Sequence, residues 1–343
     1  MDKVYFDYAA TTPLDPRVLE VMLPFFTEQF GNPSSIHRYG QRAEAAVETA
    51  REITASVLNC EPEEIIFTSC GSESDNLALR GAAISSRENK GSNRIAASRT
   101  EHHAVSKTAE QLEHYFGFDL DWLQPDKFGM IQPAEAASKI KNNTAMISVM
   151  YANNEIGTVN PIAEIGDFCR EKGVIFHTDA VQGAAYLPLD VKKLNIDLLS
   201  LGAHKFYGPK GVGALYVRKG IKLTPCQTGG GQEFGLRAGT QNVPYIVGFA
   251  EALRLTSVER EIRISSVKPL RDKLIGSILE NIPDTQLTGH SFERLPNHAS
   301  FIFKDVDGNL LLTLLDSAGF ACSSGSACKT GNPEPSEVIS ALG

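Results

Sequence analysis

The chain has 343 residues, of which 42% are hydrophobic and 22% charged, a composition typical of a globular enzyme large enough for two domains. Its 33 basic and 41 acidic residues give a formal net charge of −8 without any basic block, which disfavours a nucleic-acid partner. We expect a cytoplasmic, soluble protein, because no apolar run is long enough for a membrane helix, the N-terminus lacks a signal or transit pattern, and the six scattered cysteines suggest neither a disulfide framework nor a structural zinc site.

Helical and strand patterns alternate through the first two thirds of the chain. After an extended segment at residues 5–13, Asp15 and Pro16 predict the start of a helix that runs to about Phe30. Strands are predicted at 64–68, 94–98, 118–123, 145–150 and 212–217 and in the apolar runs before Asp179 and Lys205, and helices at 43–57, 73–87, 104–116, 132–140 and 161–173. This alternation predicts an α/β fold with a mostly parallel sheet covered by helices.

The pattern changes after Asn242. Two long helical patterns are followed by two short strands, a helix and a Ser/Gly-rich loop, at 243–257, 259–281, 285–288, 298–303, 307–317 and 322–332. We place a domain boundary between residues 255 and 262. It divides the chain into a large domain, residues 1–258, and a smaller α+β domain, residues 259–343.

An acid and a lysine follow two neighbouring apolar runs. The first run, residues 174–182, carries Asp179 and Gln182, and the second delivers Lys205 into a Gly/Pro-rich turn. Pyridoxal phosphate (PLP) chemistry requires a lysine that carries the cofactor and an acid that keeps the pyridine nitrogen protonated. A buried salt bridge beside an ordinary surface lysine explains this stretch alone equally well.

Two loops have the composition of a phosphate site. Residues 68–74 join a strand to a helix, where the backbone of Gly71 and the hydroxyl of Ser72 would bind a phosphate monoester, unless Ser72 simply caps the helix. A Gly-rich loop leads to Thr240, which would add a phosphate contact or cap the following helix. This loop lacks the GxxxxGK[ST] spacing of a nucleotide P-loop.

Two more polar clusters follow predicted strands. His102 and His103 open a helical pattern, where a histidine would stack on a flat cofactor or shuttle a proton. A metal site is disfavoured, because the sequence offers no third ligand at a useful spacing. Asn154 follows the strand at 145–150, so its amide is expected at the same sheet edge. Ordinary surface or core histidines and an Asx-rich turn are the alternative interpretations.

The Ser/Gly-rich loop near the C-terminus contains the candidate nucleophile. Small residues on both sides of Cys328 predict an exposed and mobile thiolate. Cys322 follows an apolar run, so we expect it to be structural.

The order of these motifs resembles that of the PLP-dependent cysteine desulfurases, in the class V aminotransferase group with fold type I. The resemblance extends from residues 5–13 to residues 334–336 and includes, in order, Gly71-Ser72-Glu73-Ser74, Glu101-His102-His103, Asn153-Asn154-Glu155-Ile156-Gly157, His177-x-Asp179, His204-Lys205, the Gly-rich loop and Ser324-Gly325-Ser326-Ala327-Cys328. It implies a homodimer that converts L-cysteine to L-alanine and passes the sulfur, as a cysteine persulfide, to an acceptor protein for iron–sulfur cluster or thio-cofactor and tRNA biosynthesis.

The resemblance also implies a role for each candidate residue. Lys205 would hold PLP and move the substrate Cα proton, and Cys328 would take the sulfur. Asp179 would pair with the pyridinium and His102 would stack on the ring. The other cofactor contacts implied are Asn154 and Gln182 to the ring or its O3′, and Gly71, Ser72, His204 and the other subunit's Thr240 to the phosphate.

Three features depart from the family pattern. Gly202 stands where members usually have a serine, so one hydrogen bond to the phosphate would be lost. Cys70 stands where glycine is common in the phosphate loop. The chain ends at Gly343, before the arginine that usually binds the substrate carboxylate, so we expect a truncated small domain.

Two other functions remain open from the sequence. Selenocysteine lyases and cystine C–S lyases share the PLP machinery, and direct β-elimination would tolerate the loss of Cys328. A weakly active partner protein in a sulfur-transfer complex is favoured by Gly202 and by the absent arginine. The intact Lys205, Asp179, His102 and Cys328 argue against it.

Overall fold

The computed structural model describes residues 3–325 and 336–342, and a seven-stranded sheet forms its centre. The strands of this sheet are β2 (Ile65–Thr68), β3 (Arg94–Ser98), β4 (Asp119–Leu123), β5 (Thr144–Ser148), β6 (Ile175–Asp179), β7 (Leu198–Gly202) and β8 (Gly213–Val217). They lie in the order β2-β8-β7-β6-β5-β3-β4, and all neighbouring pairs are parallel except the two that include β8. The predicted α/β fold with a mostly parallel sheet is therefore confirmed.

Strand β8 is antiparallel because its connection to β7 is short. Residues 203–212 join the two strands with a single 3₁₀ turn and no crossover helix. A parallel connection needs a dozen or more residues, usually including a helix, so the chain turns back on itself here. Since β2 and β7 both run opposite to β8, the carboxyl ends of β2, β3, β5, β6 and β7 share one sheet edge.

Helices cover both faces of the sheet. They are α1 (Pro16–Met22), α2 (Pro24–Thr27), α3 (Arg38–Leu58), α4 (Gly71–Lys90), α5 (His103–Phe116), α6 (Pro133–Ser138) and α7 (Ile162–Lys172). Consecutive strand residues belong to two different core clusters, for example Leu198 to the one containing α4 residues and Leu199 to the one containing α3 residues. Strands buried on both faces read as continuous apolar runs, which is how the sequence revealed them.

One predicted helix is two in the structure. The pattern from Pro16 to Phe30 breaks at Leu23, and α2 begins at Pro24. A proline has no N–H to donate and clashes with the preceding turn, so the first helix cannot continue through this position without disruption.

Two other predicted helices, at 243–257 and 259–281, form the single helix α8 (Val243–Asn281). All but one of its buried residues lie before position 257, whereas most of its second half is exposed. This change of environment alters the apolar periodicity without any helix-breaking residue near Val258. The helix crosses the boundary predicted at 255–262, and the division into two domains remains a prediction.

Short elements complete the chain. They are β1 (Val4–Tyr5), β9 (Thr285–Leu287), β10 (Phe301–Phe303), α9 (Gly308–Ser317), β11 (Phe320–Ala321) and α10 (Glu337–Ala341). Strands β9 and β10 form an antiparallel pair, and β1 pairs in parallel with β11. Among residues 3–325 and 336–342, no helix has both the length and the apolar character needed to cross a bilayer.

Candidate active site

The sheet edge formed by the strand carboxyl ends brings together most of the predicted site residues. Asp179 is the last residue of β6, and Lys205 is the last residue of the 3₁₀ turn that follows β7. His102 is the N-cap of α5, just after β3, and α4 begins shortly after β2. This edge is where open α/β sheets bind ligands, because the loops there converge.

Asp179 and His102 form the buried centre of the site. Asp179 is 5% exposed, and its Oδ1 accepts a hydrogen bond from the Val181 N–H at 2.9 Å. Burial raises the pKa of Asp179, while His102 and Lys205 act in the opposite direction. Burial lowers the pKa of His102, against the effect of Asp179, and Lys205 lowers it further. The imidazole is therefore neutral at neutral pH and suited to stacking on an aromatic ring.

Two buried acids that the sequence reasoning did not select lie beside this pair. Nitrogen or oxygen atoms of Asp75, His102 and Asp179 lie within 4.8 Å of one another, and the buried Oδ1 of Asp75 has no hydrogen-bond partner. Burial, and next the charge of Asp179, raises the pKa of both Asp75 and Glu101 well above the usual range. Both carboxyl groups therefore favour the protonated form more than an ordinary acid does, because each is buried and faces the charge of Asp179. An acid on the buried face of α4 was the available signal.

His177 of the predicted His-x-Asp motif has a structural role. Its Nδ1 lies 2.9 Å from the Ser148 Oγ and its Nε2 lies 3.0 Å from the Ser200 Oγ, so one ring connects β5, β6 and β7. Complete burial lowers its pKa to about 3, which keeps the ring neutral. Because Asp179 lies two residues along the same strand, this contact fixes the strand end that presents the acid.

Lys205 lies under the N-terminal segment. Its Nζ donates to the carbonyl oxygens of Ala9 at 2.5 Å and Ala10 at 2.8 Å, and Gln182 Nε2 donates to the same Ala9 oxygen at 2.9 Å. The lysine is half-buried, so it is not an ordinary surface lysine. Residues 5–13, which the sequence predicts only as an extended segment, form one wall of the site.

His204 is also held by the N-terminal segment. Its Nδ1 lies 3.1 Å from Thr11 Oγ1, and its carbonyl oxygen accepts from the Thr12 N–H at 2.9 Å. Burial, and next the charge of Lys205, lowers the pKa of His204 to about 4. A neutral imidazole there would contact a phosphate through a hydrogen bond and not through a full charge.

The predicted phosphate loop forms the N-terminus of α4. The N-cap is Cys70, whose Sγ accepts from the Glu73 N–H at 3.4 Å, so the alternative in which Ser72 caps the helix is wrong. Ser72 is exposed on the first turn. A Cβ at Gly71 would lie 2.8 Å from Val181 Cγ2, so only glycine permits this close approach. The N-terminus of such a 20-residue helix is a ready anion site.

The two remaining candidates are the amide of Asn154 and the hydroxyl of Thr240. Asn154 is half-buried and its carbonyl accepts from His298 Nε2 at 3.1 Å, whereas the neighbouring Asn153 forms the Asx turn with its Oδ1. Thr240 is exposed, and the N-cap of α8 is Asn242, so the capping alternative for Thr240 is wrong.

Of the two cysteines of the C-terminal region, the structure describes only Cys322. Cys328 lies outside the described residues. Cys322 is exposed, contrary to the expectation of a structural cysteine, because β11 ends at Ala321 and leaves it beyond the strand. Partial burial, and next the charge of Asp7, raises the pKa of the Cys322 thiol, which disfavours the reactive thiolate.

The residues present fit PLP. A lysine amine, a buried carboxylate at a strand end and a neutral histidine beside it match the aldehyde, the pyridine nitrogen and the ring face. The close approach at Gly71 and the helix N-terminus match the phosphate.

Comparison with known proteins gives a consistent result. The model of the family "Aminotransferase class-V" matches residues 4–342. A cysteine desulfurase IscS of Methanosarcina thermophila is 49% identical over 340 residues, which cover 99% of this chain and 83% of the relative. A cysteine desulfurase IscS of Dictyoglomus turgidum is 46% identical over 99% of this chain and 86% of the relative.

Solved structures also match over nearly the whole chain. A NifS-like protein superposes with a TM-score of 0.91 at 38% identity and covers 99% of this chain and 89% of its own. A structure described as SspA in complex with cysteine has a TM-score of 0.84 at 37% identity, with 99% and 94% of the two chains covered.

Proposed function

The chain belongs to the cysteine desulfurases of the class-V aminotransferase family, and from that premise we propose that it converts L-cysteine to L-alanine with transfer of the sulfur to Cys328. The observation that carries the proposal is the position of Lys205 and Asp179 at adjacent strand ends, with neutral His102 beside them. The amine, the acid and the ring have the chemistry that a PLP enzyme requires.

The chain's residues divide the work of holding PLP. When bound, PLP withdraws electrons from the substrate Cα, so that a proton there becomes acidic. Asp179, a buried carboxyl group at the end of β6, would keep the pyridine nitrogen protonated, and His102 would stack on the ring. Gln182 and Asn154 contact the ring or its O3′. Lys205 would carry the cofactor through its amine, and the same amine would accept and return the proton of the substrate Cα.

The phosphate is held by two subunits of a homodimer. Gly71, Ser72 and His204 bind it in one subunit, and Thr240 reaches it from the other. The exposure of Thr240 supports this arrangement, since its side chain is available to a second copy of the chain. Exposed aromatic side chains at Phe26 and Phe30 give the chain further apolar surface to cover.

Sulfur leaves the substrate through Cys328. The Cys328 thiolate attacks the substrate sulfur, the electron pair of the C–S bond stays with the β-carbon, and protonation of that carbon gives the methyl group of alanine. A persulfide remains on Cys328 and passes to an acceptor protein of iron–sulfur cluster or thio-cofactor and tRNA biosynthesis in the cytoplasm. The name IscS of two relatives supports a role in iron–sulfur cluster biosynthesis.

The test is the product balance of the chain with L-cysteine and PLP. With a reductant we expect alanine and sulfide in equal amounts, and without it about one equivalent of protein-bound persulfide with little free sulfide. Pyruvate and ammonia in place of alanine would contradict the proposal, because these are the products of β-elimination. A protein that binds PLP through Lys205 and forms no product would instead be a sulfur-transfer partner.

Asp179→Asn is expected to lower alanine formation by about 10²–10³-fold, the usual effect of removing one preorganised electrostatic contact to the reacting system. The asparagine keeps the volume and the hydrogen bond from the Val181 N–H but cannot hold a proton on the pyridine nitrogen. Steady-state alanine formation is the measurement. Asp197→Asn is the control. Asp197 is also buried with a raised pKa, but it accepts a hydrogen bond from the Phe176 N–H, away from the site. Equal losses in both variants would contradict the assignment.

Gly202→Ser is expected to strengthen PLP binding relative to Gly202→Ala by about 10-fold or more, the value of one hydrogen bond to a charged group. A Cβ at position 202 would lie 3.3 Å from the Gly71 nitrogen, so both substitutions crowd the helix N-terminus equally. Only serine adds a hydroxyl toward the phosphate. The dissociation constant of PLP is the measurement, and equal values for the two variants would show that no phosphate lies beside Gly202.

A further inference from the structure

Among the described residues outside the proposed cofactor site, the most deeply buried charged residue is Arg51, on α3. It is 2% exposed and forms an ion pair with Glu233, which is 4% exposed. The two guanidinium nitrogens of Arg51 donate to separate Glu233 oxygens at 2.9 and 3.0 Å, a fork-to-fork geometry. Neither residue has a role in the mechanism proposed above.

Glu233 connects the Gly-rich loop to the sheet. Besides Arg51, its oxygens accept from the Phe67 N–H on β2 at 2.8 Å and from Gln241 Nε2 at 2.6 Å. Arg51 in turn donates to the Ile65 carbonyl oxygen at 2.5 Å. The loop is thereby fixed to β2 at Glu233 and closed on itself at Gln241, and Thr240 directly precedes Gln241.

The backbone at Glu233 is held in an uncommon conformation. Glu233 and Phe234 have φ angles of 48° and 56°, a left-handed conformation that favours glycine, and neither is glycine. Such strain persists where surrounding contacts over-determine it, and it concentrates at functional sites. The Arg51 guanidinium supplies those contacts, since it lies 5.0 Å from the Phe67 ring centroid and 5.1 Å from that of Phe234.

A second ion pair ties the same loop to the phosphate end of the site. Arg237 Nε donates to Glu73 Oε1 at 2.8 Å, and Glu73 lies in the first turn of α4, next to Ser72. The loop that presents Thr240 outward is therefore braced at Glu233, Arg237 and Gln241. An exposed loop without a ligand would not need these contacts, whereas a loop that must meet a ligand at a fixed position would.

We propose that Arg51 and Glu233 are positioning residues that hold Thr240 at the PLP phosphate of the partner subunit. The inference rests on the proposed PLP site and homodimer, because it gives Thr240 its ligand. Arg51 and Glu233 touch neither cofactor nor substrate and act only through the loop.

The test compares PLP with pyridoxal, which lacks the phosphate. Glu233→Gln is expected to weaken PLP binding to the dimer by about 10-fold or more, the value of one hydrogen bond to a charged group, and to leave pyridoxal binding unchanged. Glu48→Gln is the matched control, because Glu48 pairs with the same arginine at 3.2 Å but is 52% exposed. Its affinities for both ligands should stay at the unmodified values.

A coupling measurement shows whether Glu233 acts through Thr240. Thr240→Val is expected to weaken PLP binding by a similar factor, and the double variant to lose no more than either single one. Since Glu233→Gln leaves Arg51 without its buried partner, the charge-free pair Arg51→Met with Glu233→Gln is measured as well, and it should show the same phosphate-specific loss.

Several outcomes would overturn the proposal. Equal weakening of PLP and pyridoxal would show a general structural role, and additive losses in the double variant would show that Glu233 does not act through Thr240. A Thr240→Val variant with unchanged PLP affinity would remove the proposed contact itself. Failure of the desulfurase proposal is distinguished by the product balance with L-cysteine, since these affinities are measured without substrate.

Discussion

Lys205→Ala is expected to lower alanine formation from L-cysteine by at least about 10⁴-fold. Positioned general acid–base groups contribute about 10²–10⁴-fold, and this variant also loses the amine that carries the cofactor. Another side chain could not easily take over the role of the Lys205 amine, because the carbonyl oxygens of Ala9 and Ala10 hold that amine in place. Alanine formation under saturating L-cysteine and PLP is the measurement, together with the visible absorbance of lysine-bound PLP.

Two further variants make this result specific. Lys205→Arg keeps the positive charge and a donor toward the N-terminal segment, yet it should be as inactive as Lys205→Ala, because a guanidinium does not give up its proton. Lys210→Ala, in the exposed part of the same turn, should retain activity within about 2-fold, as surface substitutions usually do. Activity in Lys205→Arg would show that the charge and not the amine is needed.

Cys328→Ala is expected to abolish turnover, with a loss of at least about 10³-fold, while PLP binding is unchanged. Loss of the nucleophile in an enzyme that works by covalent catalysis costs up to about 10⁶-fold. Cys322 is a poor replacement, because partial burial raises its thiol pKa and the thiolate is the reactive form. Alanine formation and protein-bound persulfide are measured on the same sample, and both should vanish.

The control for this variant is Cys322→Ala. Because Cys322 is exposed and outside the strand, its loss should leave turnover within about 2-fold. If Cys328→Ala still releases sulfide or selenide from the amino acid, the chain works as a cystine C–S lyase or a selenocysteine lyase. Loss of turnover in Cys322→Ala, with turnover retained in Cys328→Ala, would show that the nucleophile is Cys322 and not Cys328.

The sequence determined the sheet and the main chemistry of the site. Strands buried on both faces read as apolar runs between helical patterns, and the polar residues after them fall on the shared carboxyl edge whatever the strand order. Asp179, Lys205 and His102 are recognisable in this way, because Asp179 ends β6 and the other two lie within four residues of the ends of β7 and β3. The same local signals predicted a helix start after β2, although the N-cap is Cys70 and not Ser72.

The neighbours of these residues depend on the tertiary structure. Ala9 meets Lys205 across 196 positions of sequence, and Arg51 meets Glu233 across 182. Such contacts leave no periodic pattern in the chain, because their partners are selected by strand order and by the path of the loops. The burial that raises the pKa of Asp75 depends on elements packed from several parts of the fold. A side chain's neighbours, and therefore its charge state, are properties of the folded chain.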